Sequence, residues 1–192
     1  IQASYSIDYN KRFYIGYEST ESSDIQNLNS QNLSDFKNSF FTASIDFKKN
    51  SDKNNLFPIK NYLSIIIGTG NRSTITNSSL KQNFVNFNIM NNFYINEKNI
   101  IHLKNQNYYL KSQNYLTNEL FRFGGINSIR GFAENSLQAN LIISLMTEYR
   151  YLLSSNLYFN SIVDYCYYED PTTTIVENKN EKLLGIGMGL GA

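Results

Sequence analysis

The chain has 192 residues, enough for one domain, and its formal net charge of +1 leaves no electrostatic footprint for nucleic acid. Charged residues make up 17%, against about 25% in typical soluble domains, whereas aromatics reach 15% with no Trp, and Asn is the commonest residue. The longest apolar run, "YLSIIIG", falls far short of the ~18 residues of a membrane helix, and the composition suits exposed strands and polar loops rather than a helical bundle.

From the first residues onward, apolar and polar side chains alternate with a period of two, the signature of strands with one apolar face. Residues 1–9 place Ile1, Ala3, Tyr5, Ile7 and Tyr9 on that face, and 12–18 place Phe13, Ile15 and Tyr17 there. The same holds for Phe41, Ala43, Ile45 and Phe47 in 40–48, and for Leu63, Ile65 and Ile67 in 62–70. It holds again for Val85, Phe87, Ile89, Phe93 and Ile95 in 84–95. The run 100–110 is noisier, with Ile101, Leu103 and Tyr109 opposite His102, Lys104 and Gln106.

A strand over 138–152 sets Leu141, Ile143, Leu145, Tyr149 and Tyr151 against Asn140, Ser144, Glu148 and Arg150. Another over 157–168 sets Leu157, Phe159, Val163, Tyr165 and Tyr167 against Asn160, Asp164 and Cys166. The last alternates Leu184, Ile186, Met188 and Leu190 with glycines at 185, 187, 189 and 191. That makes about nine strands and no helix.

Connections alternate in length as well. "DYNKR", "NEKN" and "LLSSN" are short and "KKNSDKNNLFPIKN" is intermediate, while 19–38, 70–82, 111–137 and 170–182 are long and polar. Short turns at one end and long loops at the other are the pattern of a transmembrane antiparallel β-barrel in an outer membrane. A soluble β-sandwich also alternates, but its strands average only about five or six residues and rarely keep such asymmetry. A pattern that starts and stops in mid-alternation predicts an incomplete barrel. The single Cys166 excludes an internal disulfide.

Residues 121–132, "FRFGGINSIRGF", stand apart from this pattern. With the following strands "TEYRYLL" and "SIVDYCYYED", they resemble the barrel of the BamA/TamA outer-membrane assembly superfamily, which also contains the two-partner secretion transporters. The family hallmark is a long extracellular loop whose Arg-Gly-aromatic tip folds back into the barrel lumen. Here the tip is Ile129-Arg130-Gly131-Phe132, and Phe123-Gly124-Gly125 also fits the family pattern, as does the Glu of the next strand. One departure is Leu152-Leu153-Ser154, where many relatives have Pro in the turn.

The resemblance implies that residues 1–192 are part of a C-terminal barrel of about sixteen strands, with the first and last strands and the periplasmic POTRA domains outside the chain. It also implies insertion of outer-membrane proteins or translocation of a polypeptide, without enzymatic chemistry, cofactor or metal. The implied partners are the bilayer, unfolded outer-membrane or secreted clients, and periplasmic or lipoprotein accessory subunits.

The residues support the same site independently. Glu148 and Asp164 fall on the polar register of neighbouring strands, and a guanidinium carried into a partly dry lumen needs carboxylates matched to its fork of donors. Gly131 would allow a sharp turn, Gly124 and Gly125 would let the loop pass close to the wall, and Phe132 would fill apolar space beside Arg130. The glycines of the last strand would leave room for the loop.

Competing motifs are weaker. "GIGMGLG" keeps a strict period of two with no helix after it, so it does not suit a phosphate loop. His102 lacks a nucleophile at a suitable spacing for a hydrolase. Two other functions stay open: a secretion pore for one dedicated partner, and a passive porin or structural barrel. A lumen of mostly Asn, Ser and Gly with few charges argues against the porin.

Overall fold

A computed structural model describes residues 2–8, 10–23, 34–51, 56–74, 79–173 and 179–191. The core of the fold is one antiparallel sheet of nine strands. In chain order these are β1 (Gln2–Asp8), β2 (Lys11–Ser22), β3 (Phe36–Asn50), β4 (Ile59–Thr74), β5 (Leu80–Tyr94) and β6 (Asn99–Lys111), then β9 (Leu141–Leu152), β10 (Tyr158–Glu169) and β11 (Asn180–Gly191). Between β6 and β9 lie a single 3-10 turn (Thr117–Glu119) and a short hairpin of β7 (Phe121–Phe123) and β8 (Leu137–Ala139).

Every strand of the main sheet pairs with its sequence neighbour once the 112–140 excursion is set aside. This is an up-and-down meander, and it forms an incomplete barrel. Residues 24–33 of the 19–38 loop, together with Ile1 and Tyr9 of the first alternating run, lie outside the described residues.

The period-two pattern sets the register, and the register inverts the usual arrangement of a soluble sheet. Ile15, Phe41, Ile45, Ile67, Val85, Ile143, Leu145, Val163, Ile186 and Met188 all point outward and are exposed, Ile186 by 77%. Ser64, Gln82, Asn92, Ser144, Glu148, Asn160 and Asp164 point inward and are buried. An apolar outer face of this extent marks a surface for lipid or for another apolar partner.

The sheet is also strongly curled. The ring of Phe57, just ahead of β4, meets that of Tyr158 on β10 with centroids 4.9 Å apart. Across a flat sheet those strands would be about 19 Å apart.

The noisy alternation of β6 has a local cause. Asn105 and Asn107 occupy outward positions between Ile89 and Leu145 and between Phe87 and Ile143. Each folds its carboxamide onto a neighbouring strand: Asn105 Nδ2 donates to the Ser144 carbonyl at 2.8 Å and Asn107 Nδ2 to that of Phe87 at 3.5 Å. Spare backbone acceptors thereby satisfy part of what an apolar surrounding would leave unpaired.

Three expectations change. The 138–152 segment is two elements, because Asn140 breaks the run: its carbonyl accepts from Leu110 N at 2.7 Å, and its N–H donates to the Glu169 carbonyl at 3.0 Å. Residues 137–139 instead pair with 121–123, so the 111–137 loop has structure of its own. Finally, β4 and β5 extend several residues into segments read as loop, since ladder pairing with β3 carries the polar "NRST" along as strand.

The turn after "TEYRYLL" closes with Leu153 N and Ser154 N both donating to the Leu157 carbonyl, at 2.9 and 3.1 Å. Proline at either position would remove one of those donors.

Candidate functional site

Among the described residues, the buried apolar cluster lies where the 112–140 loop meets the inner wall. Phe123, Ile129 and Ala139 from the loop side pack on Ile142, Cys166 and Tyr168 of the wall, with Phe121, Phe132 and Leu137 against them. Phe121 stacks on Tyr108 at 4.9 Å, and Phe123 meets Tyr168 edge-on at 5.1 Å. Tyr108 and Tyr168, aromatic residues on the inward register, thus become the seat of the loop.

This packing delivers Arg130 to the carboxylates. Its Nε donates to Asp164 Oδ2 at 2.7 Å and its NH2 to Asp164 Oδ1 at 2.6 Å, a bidentate fork, while its NH1 donates to Glu148 Oε1. The backbone N–H of Arg130 adds a bond to Asp164 Oδ2 at 3.2 Å. Asp164 is 0% exposed, so its charge depends on these donors. Glu148 and Asp164 are diagonal neighbours on the inner face, since Glu148 pairs with Ile162 and Asp164 with Met146. Lys104 Nζ holds the same loop by donating to the Asn127 carbonyl at 2.7 Å.

The glycines divide their work differently from expectation. Gly124 and Gly125 have φ of +107° and +93°, and added Cβ atoms would meet the Ala133 carbonyl oxygen at 2.5 Å and the Glu134 carboxylate. Their close approach is therefore to the returning arm of the same loop, and not to the barrel wall. Gly131, at φ +94°, has open space around it and serves the turn alone.

Of the β11 glycines, Gly185 faces the tip: a Cβ there would sit 2.3 Å from the Arg130 carbonyl oxygen. Gly185→Val should push the tip outward and speed protease cleavage of the loop several-fold in the folded protein. Gly187→Val, whose Cβ would meet nothing nearer than 3.9 Å, should leave cleavage unchanged.

A second attachment was not legible in the sequence. Glu119, in the 3-10 turn, accepts from Arg72 NH1 of β4 and from Gln82 Nε2 of β5, the latter at 3.0 Å. It also accepts from Leu116 N at 2.9 Å, and Arg72 reaches Asn114 as well. The Arg72 and Glu119 side chains are 2% and 0% exposed. The loop is thus held at its base by its own carboxylate and at its tip by its own arginine. Neither Arg72 nor Glu119 stands in a recognisable motif, and the sequence places both in segments that read as loop, 70–82 and 111–137.

The inner wall is also less neutral than expected. Glu148 carries a second arginine, Arg150, whose Nε donates to Glu148 Oε2 at 2.6 Å. These charges sit in one patch and satisfy one another. His102 bonds through Nδ1 to Asn92 Oδ1 at 2.8 Å, which places it in a polar network without a nucleophile. Cys166 is a buried thiol within the apolar cluster.

No protein-family model and no curated protein matches the chain. Among solved structures, CdiB from Acinetobacter baumannii matches with a TM-score of 0.63 at 18% identity. The match covers 98% of this chain and 34% of CdiB, so the chain spans about a third of that protein's length. At this identity the likeness is one of fold.

Proposed function

We propose that the chain is part of an outer-membrane β-barrel that inserts or translocates polypeptides, with the 112–140 loop held in its lumen as a structural latch. The observation that carries this reading is the seating of Arg130 on Glu148 and Asp164 at a face otherwise closed by apolar packing. A loop that only covered a pore would need no buried bidentate ion pair. An arginine that fixes a loop against two strands gives the barrel one defined inner shape.

The outward apolar register faces lipid, the long loops face the cell exterior, and the short turns face the periplasm. POTRA domains outside this chain, with accessory subunits, would deliver unfolded clients to the barrel. Those clients then leave either as strands paired to a sheet edge or as an extended chain through the lumen. The fold shared with CdiB supports the barrel architecture. No catalytic step is assigned.

Depletion of the intact protein from its own cell separates the alternatives. An assembly factor should lower many outer-membrane proteins together, as read by quantitative proteomics of the outer membrane and medium. A dedicated secretion pore should abolish one exported protein. Unchanged protein profiles with slower solute uptake would make this a passive porin and overturn the proposal.

A further inference from the structure

Glu148 belongs to two arginines at once, and the second of them leads away from the loop. Arg150 stacks its guanidinium over the Phe57 ring, 4.2 Å from the centroid. Phe57 lies in the turn between β3 and β4, at the opposite end of the sheet from the long loops. It is held there by Tyr94 Oη, which donates to its carbonyl at 2.6 Å, and by Tyr158 edge-on at 4.9 Å. A continuous line therefore runs from the loop tip to the short-turn end: Arg130, Glu148, Arg150, Phe57.

We propose that Arg150 and Phe57 are positioning residues for the loop tip, acting through Glu148. A carboxylate with two oxygens can serve two guanidiniums only if it is held in one rotamer. Arg150 Nε and NH2 both lie 2.6 Å from Glu148 Oε2, which leaves Oε1 aimed at Arg130. Arg150 in turn has a planar face, and the ring of Phe57 covers it with the aromatic quadrupole that suits a cation. Its remaining polar contact, NH1 to Asn92 Oδ1, is long at 3.5 Å, so the ring is the better restraint on its orientation.

Displacing Phe57 frees Arg150 to swing, Glu148 to re-orient, and Arg130 to lose one of its two acceptors. A polypeptide entering from the short-turn end would meet Phe57 before it met the loop. The device uses the translocation reading for its purpose, but its geometry stands without it.

The test is loop mobility in the intact protein, read by a spin label at Ile126, an exposed loop position. Heat-modifiable gel mobility would confirm that each variant is folded. Arg130→Ala sets the fully released spectrum. Phe57→Ala should move the label partway towards it, and Phe57→Tyr, which keeps a ring face, should look native. Phe57→Leu, which keeps apolar bulk without that face, should resemble Phe57→Ala. In a Glu148→Gln background Phe57→Ala should add nothing.

If Arg130→Ala releases the label while Phe57→Ala leaves it native, the relay does not exist, although the latch survives. A native spectrum for Phe57→Leu would show that packing alone suffices and would equally overturn the relay. A native spectrum for Arg130→Ala itself would remove the latch, and the relay with it.

Discussion

Arg130→Ala should release the 112–140 loop while the barrel remains folded and, on the proposed function, abolish polypeptide assembly or export. The reason lies in what is left behind. Glu148 keeps Arg150, but Asp164 is fully buried and loses every side-chain donor given by Arg130, keeping one backbone N–H. Stranding a buried charge in this way costs about 3–5 kcal/mol in a dry interior, and the lower end applies beside a lumen. The loop can escape much of that cost by undocking, which admits water to Asp164. Loss of docking, and not unfolding of the sheet, is then the expected outcome.

Arg130→Lys should restore function only in part, since an ammonium cannot reproduce the fork that holds both Asp164 oxygens. A double-mutant cycle of Arg130→Ala with Asp164→Asn, read by loop proteolysis, isolates the pair. Strict additivity would mean that the observed contact contributes nothing to holding the loop.

Leu145→Arg should destabilise the barrel in a bilayer by about 2–4 kcal/mol, the cost of a cation on the lipid face near the midplane. Leu145 lies near the middle of β9, points outward and is 43% exposed, and its outward cross-strand neighbours Asn105 and Tyr165 carry no counter-charge. Asn88→Arg, on the inner face of β5, should cost much less, because water and inner polar groups such as Asn86 can take the charge. Reversible folding into lipid vesicles under a urea titration would measure both. Equal costs at the two positions, or a larger one at Asn88, would mean that the outward face does not meet lipid.

Ser144 makes a poor inner-face control for a reason invisible in the sequence. Alternation places it on the polar wall, but it is 1% exposed, with its Oγ donating to the Gln106 carbonyl at 2.7 Å. An arginine there would fail for want of room, whatever the solvent.

The sequence by itself determined which residues of each regular strand face the same way, because side chains of a strand alternate with a period of two wherever no bulge intervenes. It also determined the hairpins at the short-turn end, since turns this short can only join neighbouring antiparallel strands, while the pairings across the long loops are set by the sheet. The Arg-Gly-Phe tip was legible through the family resemblance, and Glu148 and Asp164 as its acceptors through strand register as well.

Only the tertiary structure decided where the loop's base is held, how Gly124 and Gly125 are used, and that Arg150 and Phe57 share the line to Glu148. Those contacts join residues such as Arg72 and Glu119, 47 positions apart, or Phe57 and Arg150, which meet only because the sheet curls. Local periodicity fixes the face a side chain presents. The curvature that brings distant faces together is a property of the whole sheet, and no window of the sequence contains it.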